Sequence, residues 1–241
     1  MENIKLGIAY DGTNYCGWQK QNKLKTIQGE LENVISKYLN EDINLIGAGR
    51  TDSGVHAENQ VANFKINNNL DLQKFKFAIN KMLSSDISIN NIELADENFS
   101  ARFSATSRKY IYRISTQKNP FLNRFTWQIN YDLDFDSMNE AAKIISQQSN
   151  FKLLSKNESD THNFMAIIHK SLLTKTENEF VYQIDANRFL RGMVRGIIGL
   201  IVDVGRKKVT IDNVTKYFNG ESFPVMFAPP NGLCLKNVLY D

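Results

Sequence analysis

Two hydrophobic periods alternate along the first 95 residues of the chain. Apolar residues at every second position predict strands with one buried face, and apolar residues three or four positions apart predict amphipathic helices. The predicted strands are residues 4–10, 43–46, 61–66 and 87–94, and the predicted helices follow the capping residues Thr26 and Asp71. This order of strand, helix, strand, strand, helix, strand is that of the split βαβ unit of ferredoxin-like folds.

The second part of the chain repeats this order loosely. Its predicted elements are strands over residues 108–116, 125–130 and 233–240, a hairpin of 165–174 and 179–185, a helix with a capping box of Ser137 and Glu140, helices over 187–204 and 211–218, and a loop over 150–163. We therefore predict an α+β fold of two similar split-βαβ (ferredoxin-like) halves, residues 1–104 and 105–241. Their antiparallel sheets are expected to lie side by side and to leave a central basic cleft.

The predicted helix over residues 187–204 carries arginines on one face and apolar residues on the other, at about 100° per residue. The residues on the basic face are Arg188, Arg191, Gly192, Arg195 and Gly199. A solvated charged face usually mixes signs, and this one has no acidic residue. Because the glycines leave room for a close approach, we predict that this face contacts the phosphates of a ligand.

Composition indicates a globular protein with a substantial core. Of 241 residues, 42% are hydrophobic and 23% are charged, and the net charge of +3 neither demands nor excludes an RNA partner. There is no long apolar run and no signal-peptide pattern in the first residues, so we expect a cytoplasmic protein without a membrane segment. Cys16 and Cys234 are far apart and the three histidines lack zinc-ligand spacing, which predicts reduced thiols and no metal site.

The stretch GAGRTDSGVHAENQ, residues 47–60, concentrates the candidate chemistry. Its glycines let a ligand approach the main chain closely. Arg50 and Asp52 are two residues apart, so on an extended chain their side chains point the same way. The guanidinium would hold the carboxylate ionised, which makes Asp52 a candidate nucleophile and Arg50 a candidate donor to a phosphate or to the carboxylate. A plain turn is the structural alternative.

Aromatic residues elsewhere are candidates for binding a base. Trp18, beside Gln19 in the polar loop over residues 11–25, is expected to be exposed and either to stack on a base or to fill the surface. Tyr110 lies on the aromatic face of the strand over residues 108–116, where a core position is the alternative.

Four sequence blocks occur in an order that resembles one known family. The blocks are YDGTNYCGWQKQ at residues 10–21, GAGRTDSGVHA at 47–57, FSARFSATSRKYIY at 99–112 and MVRGIIG at 193–199. Together they closely resemble the tRNA pseudouridine synthase I family, usually called TruA, and they extend along nearly the whole chain. The chain departs from the family pattern at Asn59, Asn63, residues 84–86 and residues 148–151, and none of these touches the Asp52 loop.

The resemblance implies an enzyme that needs no cofactor. Such enzymes isomerise uridine to pseudouridine at positions 38, 39 and 40 in the anticodon stem-loop of tRNA, and they are typically homodimers with tRNA lying across both subunits. The N-glycosidic bond breaks, the uracil turns, and a C-glycosidic bond forms at C5. Flipping of the target nucleotide is required because a stacked base hides the atoms that react.

The same match implies roles for individual residues. Asp52 is the family's catalytic aspartate, which attacks either the pyrimidine C6 or the ribose C1′. Arg50 would help flip the target nucleotide or hold its phosphate, and Tyr110 would stack on the uracil and assist proton removal as a catalytic residue. Arg195 would pair with Asp52, and Leu235 would line the pocket as an apolar residue.

Two other functions fit parts of the sequence. A non-catalytic RNA-binding module is the first, since βαββαβ is also the order of the RRM fold. Against it, the third predicted strand, read from residue 60 to 66, lacks the closely spaced aromatics of the RNP1 block. A glycoside hydrolase with paired carboxylates is the second, and Glu58 is the only nearby candidate for a partner of Asp52.

Overall fold

The computed structural model describes residues 1–67, 69–156 and 162–241. Residues 157–161, in the loop predicted over 150–163, lie outside the described residues. The chain forms two compact units, Met1–Thr106 with Cys234–Asp241, and Ser107–Leu233. Each unit combines strands with helices, so the predicted α+β class is confirmed. In the part of the chain that is described, no helix is long and apolar enough to cross a membrane.

The described ranges contain nine strands and five α-helices. The strands are β1 (Glu2–Tyr10), β2 (Ile46–Gly47), β3 (His56–Ile66), β4 (Ile87–Ala95), β5 (Ala105–Ser115), β6 (Trp127–Gln128), β7 (Ile168–Lys175), β8 (Glu179–Ala186) and β9 (Leu233–Tyr240). The helices are α1 (Ile27–Leu39), α2 (Leu72–Met82), α3 (Phe135–Ser146), α4 (Met193–Gly205) and α5 (Ile211–Phe218).

In the first unit, β1 is an inner strand of the sheet. It pairs antiparallel with β3 on one side and with β4 on the other. β2 pairs antiparallel with β3 at Asn63 and Ala62, whereas β9 runs parallel to β3 at its other end. α2 packs against β4 and α1. The fully buried apolar residues of β1, α1 and α2 are Ile4, Leu6, Ile8, Ile27, Leu31, Ile35, Phe75 and Ile79.

Side-chain caps begin the two helices of this unit where the sequence predicts them. The Thr26 hydroxyl accepts a hydrogen bond from the Gly29 N–H at 3.3 Å, and the Asp71 carboxylate accepts one from the Lys74 N–H at 3.1 Å. The bond from Lys74 also lowers the pKa of Asp71. Each cap satisfies a backbone donor that the helix leaves open, which typically stabilises a helix by about 1 kcal/mol.

The strand predicted over residues 43–46 is mostly absent, because β2 contains only two residues. The backbone before β2 binds side chains of α1 instead of a neighbouring strand. The Leu45 N–H donates to the Glu32 carboxylate at 3.0 Å, and the Leu45 carbonyl accepts from the Gln28 amide at 3.1 Å. A periodic pattern of apolar residues indicates which side chains are buried. It does not show which groups form hydrogen bonds with the backbone N–H and C=O groups.

In the second unit, β5 pairs antiparallel with β8, and β8 pairs antiparallel with β7. β6 runs parallel to the end of β5 and has two residues, where the sequence predicts a strand over 125–130. α3 packs against β7, α4 and α5. The buried residues that form this core include Tyr112, Ile114, Met138, Tyr182, Ile184, Ile197, Leu200 and Ile201.

α3 begins earlier than predicted, and the predicted capping box is wrong. The Asp134 carboxylate accepts a hydrogen bond from the Ser137 N–H at 3.0 Å. Asp134 is therefore the capping residue, and Ser137 lies in the first turn of the helix. Both residues are good caps by type, so their types alone could not identify the one that is used.

α4 begins later than predicted. Gly192 precedes it with φ 72°, a left-handed value that interrupts a right-handed helix. Before Gly192, the backbone N–H of Asn187 donates to the Ile167 carbonyl at 3.1 Å, and the Asn187 side chain accepts from the Ile167 N–H at 2.9 Å. Arg188 and Arg191 therefore lie outside α4, and the prediction of a basic helix face formed by three arginines is wrong.

Three tyrosines are buried in the second unit, and burial raises the pKa of Tyr112, of Tyr182 and of Tyr217 above the usual value of 10.0. The folded state therefore holds these phenolic protons more tightly than the unfolded state does. Their contribution to stability is fully present below pH 10 and is lost as the pH rises above it.

We expect the free energy of unfolding, measured by urea denaturation, to fall between about pH 9 and pH 11. Tyr182→Phe should reduce this fall, since it removes one of the buried protons. Tyr38→Phe, at an exposed position, is the control. An equal fall in the Tyr182→Phe variant and in the wild type would contradict the assignment.

Candidate active site

The candidate nucleophile Asp52 lies in the connection between β2 and β3 of the first unit. β3 begins earlier than predicted, so this connection shortens to residues 48–55. The Val55 N–H donates to the Asp52 carbonyl at 3.2 Å and closes a tight turn, in which Gly54 has φ 78°. Glycine accepts this left-handed conformation without steric cost. The Asp52 side chain is half-buried, and Arg50 is exposed.

Hydrogen bonds attach both neighbours of Asp52 to the loop that follows β1. On one side, the Thr51 carbonyl accepts from the Trp18 N–H at 3.1 Å. On the other side, the Ser53 hydroxyl donates to the Tyr15 carbonyl at 3.1 Å. The position of the Asp52 backbone is therefore set by a second loop, in addition to the turn that carries it.

Two glycines allow these loops to touch. A Cβ atom on Gly12 would lie 2.0 Å from the Val55 carbonyl oxygen, and one on Gly17 would lie 2.5 Å from the Thr51 carbonyl oxygen. Neither distance is possible for a real Cβ atom, because the neighbouring atoms belong to the backbone and cannot turn away. Gly12 and Gly17 of the 10–21 block thus allow its backbone to pack directly against the backbone of the 47–57 block.

Trp18 is buried with 2% exposure, so the expectation that it is exposed is wrong. The indole lies under Gly47, where a Cβ atom would be 2.6 Å from the indole Nε1. The ring also lies 6.1 Å from the ring of Tyr10, measured between centroids. The polar residues around Trp18 in the sequence conceal this packing role. Its proposed contact with a base, and that of Gln19, stay predictions.

A buried polar network holds the Trp18 loop on α1. The Glu32 carboxylate, with 3% of the residue exposed, accepts from the Lys20 ammonium at 2.9 Å and from the Gln28 amide at 2.8 Å. It also accepts the bond from Leu45 described above. The Gln28 carbonyl oxygen in turn accepts from the Gln19 amide at 2.9 Å. The hydrogen bond and the charge of Glu32 raise the pKa of Lys20.

We expect Glu32→Ala to lower the free energy of unfolding by about 2 kcal/mol, because it removes the acceptor of three hydrogen bonds. Two of these bonds, from Gln28 and from Leu45, are buried. Urea denaturation measures this change. Glu41→Ala, at an exposed position, is the matched control and should change stability by less than about 0.5 kcal/mol. A Glu32→Ala variant no less stable than the control would show that the network does not hold the loop.

Tyr110 is half-buried on β5, and its ring meets the ring of Phe189 edge to face at 5.1 Å. The neighbouring Tyr112 is the core tyrosine of this strand, with 0% exposure. Its hydroxyl donates to the Pro229 carbonyl at 2.8 Å. Tyr110 therefore keeps part of its surface accessible, which a stacking role requires.

Arg195 lies in the first turn of α4 and is half-buried. Its Nε donates to the Ala228 carbonyl at 2.6 Å, and its own carbonyl accepts from the Ala228 N–H at 3.0 Å. A Cβ atom on Gly199 would lie 1.6 Å from the Met226 carbonyl oxygen. The room predicted for a ligand at Gly199 is thus occupied by the chain itself, because residues 226–228 cross the helix there.

The remaining predicted residues lie in different settings. Leu235 is buried on β9, where it pairs with Ala57 of β3 just after the Asp52 loop. Arg188 and Arg191 are exposed on the segment before α4. The first unit therefore carries Asp52 and Leu235, and the second carries the two exposed arginines.

Sequence reasoning missed the residues that position Asp52, chiefly Thr51, Tyr15 and Glu32. The available signal was the pair Gly12 and Gly17, whose spacing within an aromatic block indicates a close approach of two backbones.

A sequence model of the family described as tRNA pseudouridine synthase matches residues 7–104 and 147–241. The chain therefore belongs to the tRNA pseudouridine synthase family, a family of isomerases, and the resemblance found in the sequence is confirmed. A non-catalytic RNA-binding module is not favoured.

Particular relatives extend this match over the whole chain. The tRNA pseudouridine synthase A of Chlorobium limicola is 37% identical over 243 residues, and the alignment covers 100% of each chain. The tRNA pseudouridine synthase A of Dictyoglomus thermophilum is 40% identical over 247 residues, again with 100% of each chain covered. A solved structure of an H/ACA RNP bound to a substrate RNA is similar with a TM-score of 0.39 and 10% identity, over 83% of this chain and 44% of that chain.

Proposed function

We propose that this protein isomerises uridine to pseudouridine in the anticodon stem-loop of tRNA, at positions 38, 39 and 40, with Asp52 as the nucleophile. Membership of the family supports the reaction. The observation that carries the assignment to Asp52 is its half-buried carboxylate on a loop whose flanking residues are both hydrogen-bonded to a second loop. A nucleophile that attacks a flipped nucleotide must be held in place in this way.

The proposed reaction is an isomerisation: the composition of the nucleoside is unchanged, although the hydrogen at C5 is released to the solvent and N1 gains a proton. The target nucleotide flips out of its stack, and the Asp52 carboxylate attacks C6 of the pyrimidine or C1′ of the ribose. The bond between C1′ and N1 breaks, the uracil turns, C5 bonds to C1′, and the bond to Asp52 breaks again, which regenerates the free carboxylate. The C5 proton leaves, and N1 ends protonated. The pair of electrons for each step comes from the substrate and the carboxylate, so we propose that no cofactor takes part.

The other site residues would act on the flipped nucleotide. Arg50, exposed beside the loop, would help to flip it or hold its phosphate. The accessible part of Tyr110 would stack on the uracil. The guanidinium of Arg195 would pair with the carboxylate of Asp52 and hold it in position.

We also propose the finer arrangement that the sequence predicts, with domains 1–104 and 105–241 as two ferredoxin-like halves around a basic cleft. The pairing of β4, β1, β3 and β2 in the first unit is that of a split βαβ fold, which supports this. We propose a homodimer that acts on tRNA in the cytoplasm. The exposed free thiol of Cys16 suits a reducing compartment.

The test is to incubate the protein with unmodified tRNA that carries tritium at uridine C5, in the presence of EDTA. Isomerisation must expel the C5 proton, so tritium is expected in the solvent, and binding alone would leave it in the RNA. Mapping of the product should place pseudouridine at positions 38 to 40. Binding without release would support an RNA-binding protein instead.

A glycosidase with paired carboxylates is less well supported. Its second acid would be Glu58, which is exposed and forms an ion pair with Lys236. A carboxylate that is exposed and held in an ion pair with a lysine is poorly placed to donate a proton to a leaving group.

A further inference from the structure

A cavity of about 660 Å³ lies at the end of α4 in the second unit. α4 contributes Asp203, the turn after it contributes Arg206 and Lys208, and the start of α5 contributes Asn213. The opposite wall is the apolar segment of residues 223–226. This volume lies in the usual range for small-molecule sites, and a few polar groups facing an apolar wall are their usual lining.

The walls of this cavity are held in place by contacts on every side. The Asp203 carbonyl accepts from the Lys208 N–H at 3.0 Å, which folds the turn back over the helix end. The Arg206 guanidinium lies over the ring of Tyr131 at 4.1 Å from its centroid. In the apolar wall, the ring of Phe223 packs on Tyr217, and Met226 lies against α4 as described above. The cavity is therefore part of the folded unit.

The carboxylate of Asp203 is the group that calls for an explanation. It is half-buried in the last turn of α4, where the helix dipole disfavours an acid. Across the ranges that the structure describes, its side chain forms no hydrogen bond and no ion pair. Arg206 and Lys208, by contrast, suit a helix C-terminus and need no ligand to account for them.

Carboxylates recognise one base in particular. The N1–H and the N2 amino group of guanine are adjacent donors that a carboxylate can accept together, whereas the same edge of adenine presents the N1 acceptor beside its amino group. Unpaired bases in RNA are commonly bound in this way, with hydrogen bonds to the Watson–Crick edge and contacts to the face of the ring. Arg206 and Lys208 would neutralise the attached phosphate.

We propose that this cavity binds an unpaired guanosine 5′-phosphate unit of the RNA substrate, with Asp203 on the guanine edge and the wall of residues 223–226 on its face. The proposal rests on the proposed function for the identity of the RNA. The residues that line the cavity all belong to the second unit.

The experiment titrates the full chain with GMP and with AMP and follows binding by calorimetry. GMP is expected to bind at least about tenfold more tightly than AMP, the difference that one bidentate base contact supplies. Asp203→Asn should weaken GMP binding by about the same factor and leave AMP unchanged. Asp136→Asn, at an exposed position on α3, is the matched control and should bind both nucleotides as the wild type does.

Two further variants keep the result decisive. Val225→Trp fills the cavity without changing its charge, so it should abolish GMP binding even if Asp203→Asn fails to fold. Asp52→Ala should keep GMP binding, which separates this site from the proposed active site and makes the titration independent of the tritium assay. Equal affinity for GMP and AMP, full GMP binding by Asp203→Asn, or loss of GMP binding in Asp52→Ala would overturn the proposal.

Discussion

Asp52→Ala is expected to abolish release of tritium from tRNA labelled at uridine C5, with a fall in kcat of more than about 10⁴-fold. The reason is that the carboxylate supplies the electrons for the first bond. The other oxygen nucleophiles on residues 48–55 are the neutral hydroxyls of Thr51 and Ser53, which are hydrogen-bonded to Tyr10 and to the Tyr15 carbonyl. tRNA binding should remain within about tenfold of the wild type, because phosphate contacts dominate the affinity for a nucleic acid.

The matched control for this variant is Asp42→Ala, which removes an exposed aspartate from the same unit. It should release tritium at the rate of the wild type. Binding of tRNA by Asp52→Ala, measured by filter retention at fixed salt, distinguishes lost chemistry from lost recognition. A variant that binds no tRNA would assign Asp52 to binding, and a variant that still turns over would remove it from the mechanism.

Gly12→Ala should have the largest effect on the fold of the active-site loop. The new methyl group would lie 2.0 Å from the Val55 carbonyl oxygen and 2.7 Å from the Val55 carbonyl carbon, so the two loops must separate. We expect the free energy of unfolding to fall by more than about 3 kcal/mol. Any folded protein should have lost most of its activity, because Asp52 is three residues from Val55 and moves with it.

Gly49→Ala provides the control for this substitution. It lies on the same loop as Asp52, but a Cβ atom there would meet no atom within 4 Å. Its unfolding free energy should therefore change by less than about 1 kcal/mol in urea denaturation. Equal stability of the two alanine variants would show that the loops do not touch as described.

The fold could be predicted from the sequence where local chemistry and burial agree. Thr26 and Asp71 begin their helices as expected because each is followed by a strong apolar stripe. The prediction failed where tertiary contacts replace local ones. Residues 43–45 read as a strand by hydrophobicity, but their backbone is bound by Glu32 and Gln28 of α1, which no periodicity can show.

The sequence allowed a prediction of the candidate catalytic residue, but it did not show which residues hold that residue in place. Asp52 could be proposed as the nucleophile because the block GAGRTDSGVHA resembles the family's signature, whereas the glycines and the aspartate alone also fit a plain turn. Trp18 misled because its polar neighbours suggest a surface, whereas the indole fills the space under Gly47. The start of α4 was mispredicted for a different reason. Gly192 was read as a small residue on a helix face that leaves room for a ligand, whereas its left-handed backbone lies just before the helix.

The parallel pairing of β9 with the start of β3 affects how the molecule can be made. The unit that holds Asp52 needs residues 234–241, and the ribosome adds these only after the whole of the other unit. A nascent chain therefore exposes the empty edge of β3 throughout most of its synthesis. The unit that holds Asp52 should consequently complete its fold only after residues 234–241 have left the exit tunnel of the ribosome.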